Sequence, residues 1–273
     1  MVTSPGPETM QLHRIVHSGD GPYCLMVHGA LASRSYWNEN LDALRAICRP
    51  VIVELWGHGR SPSPLDEHLY TPEGYIEQFE AIRVELGADQ WFTIGQSMGA
   101  ALTLAYGLAH PARILAQVVT NSASSFSDPE VWVMRNTDLV RPLAERVRVN
   151  GVGDLRDSWV NPSRSKRIAE ATRSIMAAEF DEHTAEGVAR SFEHTNRTTA
   201  LGPDRLAAVS RPTLLTVGVD ETRFLPLVER ARAIPGLIVT EIEASHAVNA
   251  QNPAQWNEAT VRFLTEHAPT VQG

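Results

Sequence analysis

Residues 91 to 101 read WFTIGQSMGAA: an apolar segment, Trp91 to Ile94, runs through Gly95-Gln96-Ser97-Met98-Gly99 into the helix-forming stretch MGAALTLAYGLAH. A serine flanked by glycines at a strand-to-helix junction has a physical reading. The turn is sharp enough to force the central residue into a sparsely populated backbone conformation, and side chains at 95 or 99 would collide with neighbouring backbone. The serine hydroxyl is thereby presented at the end of a strand, the arrangement of a nucleophile elbow. A Gly-x-Ser-x-Gly pentapeptide is a weak signal by itself, so the strand before it and the helix after it carry the inference.

A serine hydroxyl attacks a carbonyl only when a base takes its proton, and the base needs an acid to orient it. Of the ten histidines, His246 lies in Glu243-Ala244-Ser245-His246-Ala247, between the last strand candidate and the final helix. His28 in Val27-His28-Gly29 and His58 in Gly57-His58-Gly59 sit in Gly-bounded turns, where a ring nitrogen ties down backbone. His13, His17, His68, His110, His183, His194 and His267 lack such a setting and are read as surface residues. The strand candidate before that of His246 leads into Gly218-Val219-Asp220-Glu221, which offers two adjacent carboxylates, Asp220 and Glu221. Only one of them can face the imidazole.

Along the chain, short apolar runs alternate with helical patterns, which predicts a mostly parallel sheet wrapped in helices. Strands are expected at 23–27, 50–55, 91–94, 116–120, 213–217 and 238–242, and helices at 36–46, 71–86, 98–110, 225–234 and 253–267. From about Asp128 to Leu206 no strand pattern occurs. Helical segments follow one another there, broken at Asn150-Gly151, Asn161-Pro162 and Gly202-Pro203.

Taken together, these motifs resemble the α/β-hydrolase superfamily over nearly the whole chain. The resemblance rests on His28-Gly29, Gly57-His58-Gly59-Arg60-Ser61, the elbow at Ser97, the acid loop after Gly218 and Ser245-His246, in the chain order serine, acid, histidine. It implies an α/β fold with an eight-stranded, mostly parallel sheet and a helical cap inserted after the sixth strand. The core then spans 1–127 and 207–273, and the cap 128–206. It further implies a Ser97-His246-acid triad. In relatives the acid stands three residues beyond the glycine, so Glu221 is preferred over Asp220. The oxyanion hole would be the backbone N–H groups of Ala30 and Met98, and Leu31, Trp37, Trp132 and Trp159 are candidates for substrate contact.

The implied activity is hydrolysis of a small carboxylic ester or lactone through an acyl-enzyme. Two alternatives stand beside it: hydrolysis or elimination at a C–C bond of a dienoate, as in the menaquinone-pathway synthase branch, and a non-catalytic small-ligand receptor. A C–C enzyme would need a cation for the substrate carboxylate, and such enzymes commonly carry tryptophan after the histidine, where this chain has Ala247. Aspartate-nucleophile branches are excluded by Ser97.

Composition bounds the rest. With 273 residues, 43% hydrophobic, 21% charged and a formal net charge of −8, the chain has the make-up of a globular protein. Its bases are scattered, which argues against nucleic acid as partner. No apolar run approaches the roughly 20 residues of a membrane span, and the opening has no signal-peptide pattern. The expectation is a cytoplasmic monomer or homodimer acting on a small molecule, with neither cofactor nor metal. Cys24 and Cys48, the two cysteines, are read as small core residues.

Overall fold

Among the described residues seven strands form one sheet in the order β1-β3-β2-β4-β5-β6-β7. They are β1 (Arg14–Val16), β2 (Tyr23–Val27), β3 (Arg49–Val53), β4 (Trp91–Gln96), β5 (Ile114–Thr120), β6 (Thr213–Gly218) and β7 (Ile238–Ile242). The structure, a computed structural model, describes residues 10–269. All pairings are parallel except that of β1 with β3. The expected eighth strand has no counterpart among the described residues. Within the described residues β1 forms one edge of the sheet and β7 the other.

Strands β4 and β6 are buried along their entire length, as their continuous apolar character requires when helices cover both faces. Alternation separates the faces. Cys24, Met26, Ile52, Phe92 and Ile94 meet Trp37 and Trp256, whereas Leu25, Val27, Val51 and Val53 meet Tyr75, Phe79 and Tyr106. Each such side chain, when fully buried, stabilises the fold by about 1.5–3 kcal/mol. Both cysteines are free and buried.

Among the described residues eleven α-helices complete the layers. Helices α1 (Leu41–Arg45), α2 (Pro72–Glu85) and α3 (Met98–Ala109) precede β5, and α9 (Leu225–Ala231), α10 (Val248–Gln251) and α11 (Pro253–Glu266) follow β6. Start signals are local: the Thr71 hydroxyl accepts the Gly74 N–H ahead of α2, and the Asn252 side chain accepts the Gln255 N–H ahead of α11, with proline opening both helices. Between β5 and β6 lie α4 (Ala123–Phe126), α5 (Pro129–Asn150), α6 (Glu170–Glu179), α7 (Ala185–Arg190) and α8 (Pro203–Ala207), with no strand among the described residues. None of the helices in the described residues is long and apolar enough to cross a membrane.

A buried polar seam joins that helical segment to the sheet. The Arg34 guanidinium, in the loop after β2, lies 3.0 Å from Glu54, 3.1 Å from Glu179 and 2.7 Å from Glu182. Beside it three imidazoles lie in series with their planes tilted, His28 against His58 at 5.5 Å between centroids and His58 against His183 at 5.1 Å. His183 is therefore not the surface residue expected from sequence: it is buried, and its Nδ1 accepts the Gly59 N–H at 2.9 Å.

Burial lowers all three histidines, to about 3 for His28 and His58 and about 4 for His183, each reinforced by the charge of a neighbouring ring. In the unfolded chain the same rings take protons near pH 6.5. Between about pH 4 and 6.5 the unfolded state thus binds up to three more protons at these sites than the folded one. Stability falls as the pH drops through that window, by at most about 4 kcal/mol per pH unit. Thermal melts from pH 7.5 to 5 are expected to show a steep loss below pH 6.5, and a midpoint that stays level to pH 5 would contradict neutral burial of the trio.

Candidate active site

Ser97 closes β4 and caps α3 with φ 53° and ψ −118°, a conformation that a non-glycine residue seldom adopts. Its flanking glycines are obligatory for space. A Cβ at 95 would stand 2.5 Å from the Cα of Ala100, and one at 99 would stand 2.2 Å from the carbonyl oxygen of Val27. The turn is held from β5 as well: the Ser97 N–H donates to the Thr120 carbonyl at 3.0 Å, and the Ser122 hydroxyl donates to the Ser97 carbonyl at 2.7 Å.

His246 lies in the loop after β7. Its Nδ1 stands 2.9 and 3.0 Å from the two carboxylate oxygens of Glu221, whose residue is only 7% exposed. Burial would raise the Glu221 carboxyl, but the hydrogen bond and charge of His246 and the amide of Asn121 leave it below the usual carboxylate range. Asp220 takes the other direction. Its N–H bonds the Ala244 carbonyl, extending the β6–β7 ladder by one step, and its half-exposed carboxylate pairs with Arg167. The geometry thus gives the imidazole to Glu221, the residue preferred by counting from Gly218. Glycine is required at 218 because a Cβ there would sit 2.2 Å from the Ser245 carbonyl of the histidine loop.

Ser97 and His246 line one cavity of about 430 Å³, together with Ala30. Among the described residues no hydrogen bond joins the Ser97 hydroxyl to the ring, and such links commonly tighten only in the substrate complex. Met98 is the first residue of α3, so its N–H is one of the donors a helix start leaves free, and the Ala30 N–H has no backbone acceptor among the described residues. Both can receive an anionic oxygen.

The four substrate-contact candidates divide. Trp159 lines the cavity, its ring edge-on to His246 at 6.1 Å. Trp37 is fully buried against Tyr36 and Trp256 and anchors its loop in the core. Leu31 is buried among Val140, Val147 and Phe180, and the Trp132 indole N–H donates to the Asn196 carbonyl within the helical segment. None of these last three borders the cavity: each spends its apolar surface or its donor on packing and tying chain segments together.

Asn121 was not foreseen. At φ 26° just beyond β5, its amide donates to Glu221 Oε2 at 2.7 Å, and its carbonyl oxygen accepts the Gly218 N–H at 3.1 Å. One side chain thereby sets the acid against both neighbouring strand ends. The signal was present, since asparagine tolerates the left-handed region and Thr120-Asn121-Ser122 follows a strand. Tyr36, Gln96, Arg164 and Arg223 also line the cavity and carried no sequence pattern.

The sequence profile of the alpha/beta hydrolase fold matches residues 24–217, and the chain belongs to that family. A protein of Bacillus subtilis (strain 168) with the provisional name 2-succinyl-6-hydroxy-2,4-cyclohexadiene-1-carboxylate synthase is 24% identical over 260 residues, 91% of this chain and 92% of its own. Among solved structures, the enol-lactonase of Burkholderia xenovorans LB400 matches with a TM-score of 0.78 at 24% identity, covering 93% of this chain and 96% of its own. MenH from S. aureus matches with 0.82 at 15% identity, covering 93% and 98%. Both structures share the fold.

Proposed function

We propose that the protein is a serine hydrolase that cleaves a small carboxylic ester or lactone through an acyl-enzyme on Ser97. The observation that carries this reading is the shared cavity of Ser97 and His246, with the far nitrogen of that histidine held 2.9 Å from a buried glutamate. His246 takes the Ser97 proton through Nε2 as the hydroxyl oxygen attacks the carbonyl carbon. Glu221 keeps the proton of the neutral ring on Nδ1 and stabilises the imidazolium that forms. The N–H groups of Ala30 and Met98 receive the negative charge that builds on the carbonyl oxygen, each contributing about 3 kcal/mol in the transition state. The imidazolium returns its proton to the leaving alcohol, and water, activated by the same ring, releases the acid.

The helical segment 128–206 serves in this reading as a cap, since it brings Trp159 and Arg164 to the cavity. A second reading, C–C bond cleavage of a dienoate, draws support from the two arginines in the lining, Arg164 and Arg223, which supply the cation that reaction needs for a substrate carboxylate.

Turnover separates the readings. Rapid hydrolysis of p-nitrophenyl butyrate or of simple lactones is expected. Inertness toward the whole ester and lactone panel, with turnover of a dienoate, would instead select C–C chemistry. Labelling of Ser97 by a fluorophosphonate without turnover of any substrate would point to a receptor.

A further inference from the structure

The walls of the cavity carry a charge opposite to that of the molecule. The chain has a formal net charge of −8, yet among the described residues no aspartate or glutamate lines the cavity, while Arg164 and Arg223 do. Arg223 lies over an aromatic face: its guanidinium carbon is 4.2 Å from the centroid of the Trp159 ring, which in turn stands edge-on to His246. Its nearest carboxylate oxygen, on Glu221, is 3.5 Å away, and that glutamate already serves His246 and Asn121. Arg164 donates to the Asp157 carbonyl and lies 3.8 Å from the Asp157 carboxylate, which is almost fully exposed. Each guanidinium has five N–H groups, so both keep donors free to turn toward a ligand.

The other polar groups of the lining are mostly occupied within the protein. The Gln96 amide donates to the His246 carbonyl at 3.2 Å, Gln251 bonds Ser165 at 2.8 Å, and the Asn161 amide donates to the Arg156 carbonyl at 2.8 Å. The buried hydroxyl of Tyr36 stands apart from these. It is 1% exposed, borders the cavity, and its buried hydroxyl has no partner among the described residues. A buried hydroxyl without an acceptor is destabilising, and a substrate oxygen would relieve that cost.

We propose that the cavity takes an ester or lactone that also carries a carboxylate, bound by the guanidinium groups of Arg164 and Arg223, with the Tyr36 hydroxyl donating to a second oxygen of the substrate. The proposal rests on the serine-hydrolase reading and names its substrate class. A guanidinium fork matches a carboxylate in two parallel hydrogen bonds, and stacking on Trp159 orders Arg223 before binding, which lowers the entropic cost of the contact. A cavity of about 430 Å³ suits a small anion of this kind.

The test compares mono-p-nitrophenyl glutarate with p-nitrophenyl valerate, in which a methyl group replaces the carboxylate. The glutarate ester is expected to show a kcat/KM about tenfold higher or more. Arg164→Gln and Arg223→Gln should each shrink that ratio severalfold, and Arg164→Glu should invert it. Equal rates for the two esters, or a ratio that the arginine variants leave unmoved, would overturn the proposal.

Binding gives a readout that does not depend on turnover. Calorimetry of Ser97→Ala is expected to detect glutarate and not glutaramide, with binding weakened about tenfold in Ser97→Ala/Arg164→Gln. Failure of glutarate to bind, or tighter binding of inorganic phosphate than of glutarate, would remove the carboxylate assignment. The parent reading fails on a different result: no hydrolysis of either ester and no fluorophosphonate labelling of Ser97.

Discussion

Ser97→Ala is expected to lower kcat on p-nitrophenyl butyrate by about 10⁵–10⁶-fold while the protein stays folded. The size of the effect follows from the loss of the one hydroxyl that the elbow presents at the strand end. Without it, what remains is the catalysis supplied by binding and by the N–H groups of Ala30 and Met98. Folding should survive, because the strained backbone at 97 is held by the bonds from Ser97 N–H to Thr120 and from Ser122 to the Ser97 carbonyl, neither of which involves the deleted hydroxyl. Initial rates alongside a thermal melt of each protein make the measurement. Activity retained within tenfold of the parent, with an unchanged melt, would falsify the assignment of Ser97.

Exchange of the acid is the second large effect. Glu221→Gln should reduce kcat by about 10³–10⁴-fold with KM little altered, because an amide can present its NH₂ to Nδ1 and stabilise the wrong tautomer, leaving no free Nε2 lone pair to accept the serine proton. Asp220→Asn should change kcat by no more than a few fold. That carboxylate is half-exposed and paired with Arg167, and exposed pairs of this kind contribute about 0–1 kcal/mol. The two variants each remove one negative charge, at adjacent positions, so the comparison isolates which carboxylate reaches the ring. The reverse pattern, with Asp220→Asn crippled and Glu221→Gln active, would hand the role to Asp220.

Much of the site was legible before any coordinates. The elbow could be read because its signal is local: strand, glycine, serine, glycine and helix lie within a dozen consecutive residues. Six strands were placed within two residues at either end, since buried parallel strands are continuous apolar runs with glycine or proline beyond them. The short edge strand β1 was missed because three residues carry no period, and among the described residues no eighth strand stands beside it.

Side chains whose surroundings come from distant segments were not legible. His183 looked like any surface histidine, yet it is buried against His58, 125 residues earlier. Trp37 and Trp159 were equivalent as sequence. One is locked into the core by Trp256, and the other stands over His246. Asp220 and Glu221 are separated in the sequence only by counting, whereas in the fold the first carboxylate pairs with Arg167 and the second with His246.

Sequence by itself determined the class of fold, the strand ends at which chemistry can occur and the identity of Ser97 and His246 as the residues offered there. Those follow from periodicity, from turn sterics and from the few side chains capable of the chemistry, all properties of short segments. The partner of the imidazole, the amide of Asn121 behind it, the orphan hydroxyl of Tyr36 and the two guanidinium groups of the cavity were decided by tertiary structure. Each depends on which side chains from separate strand ends and loops meet within hydrogen-bonding reach, and no local pattern encodes that meeting.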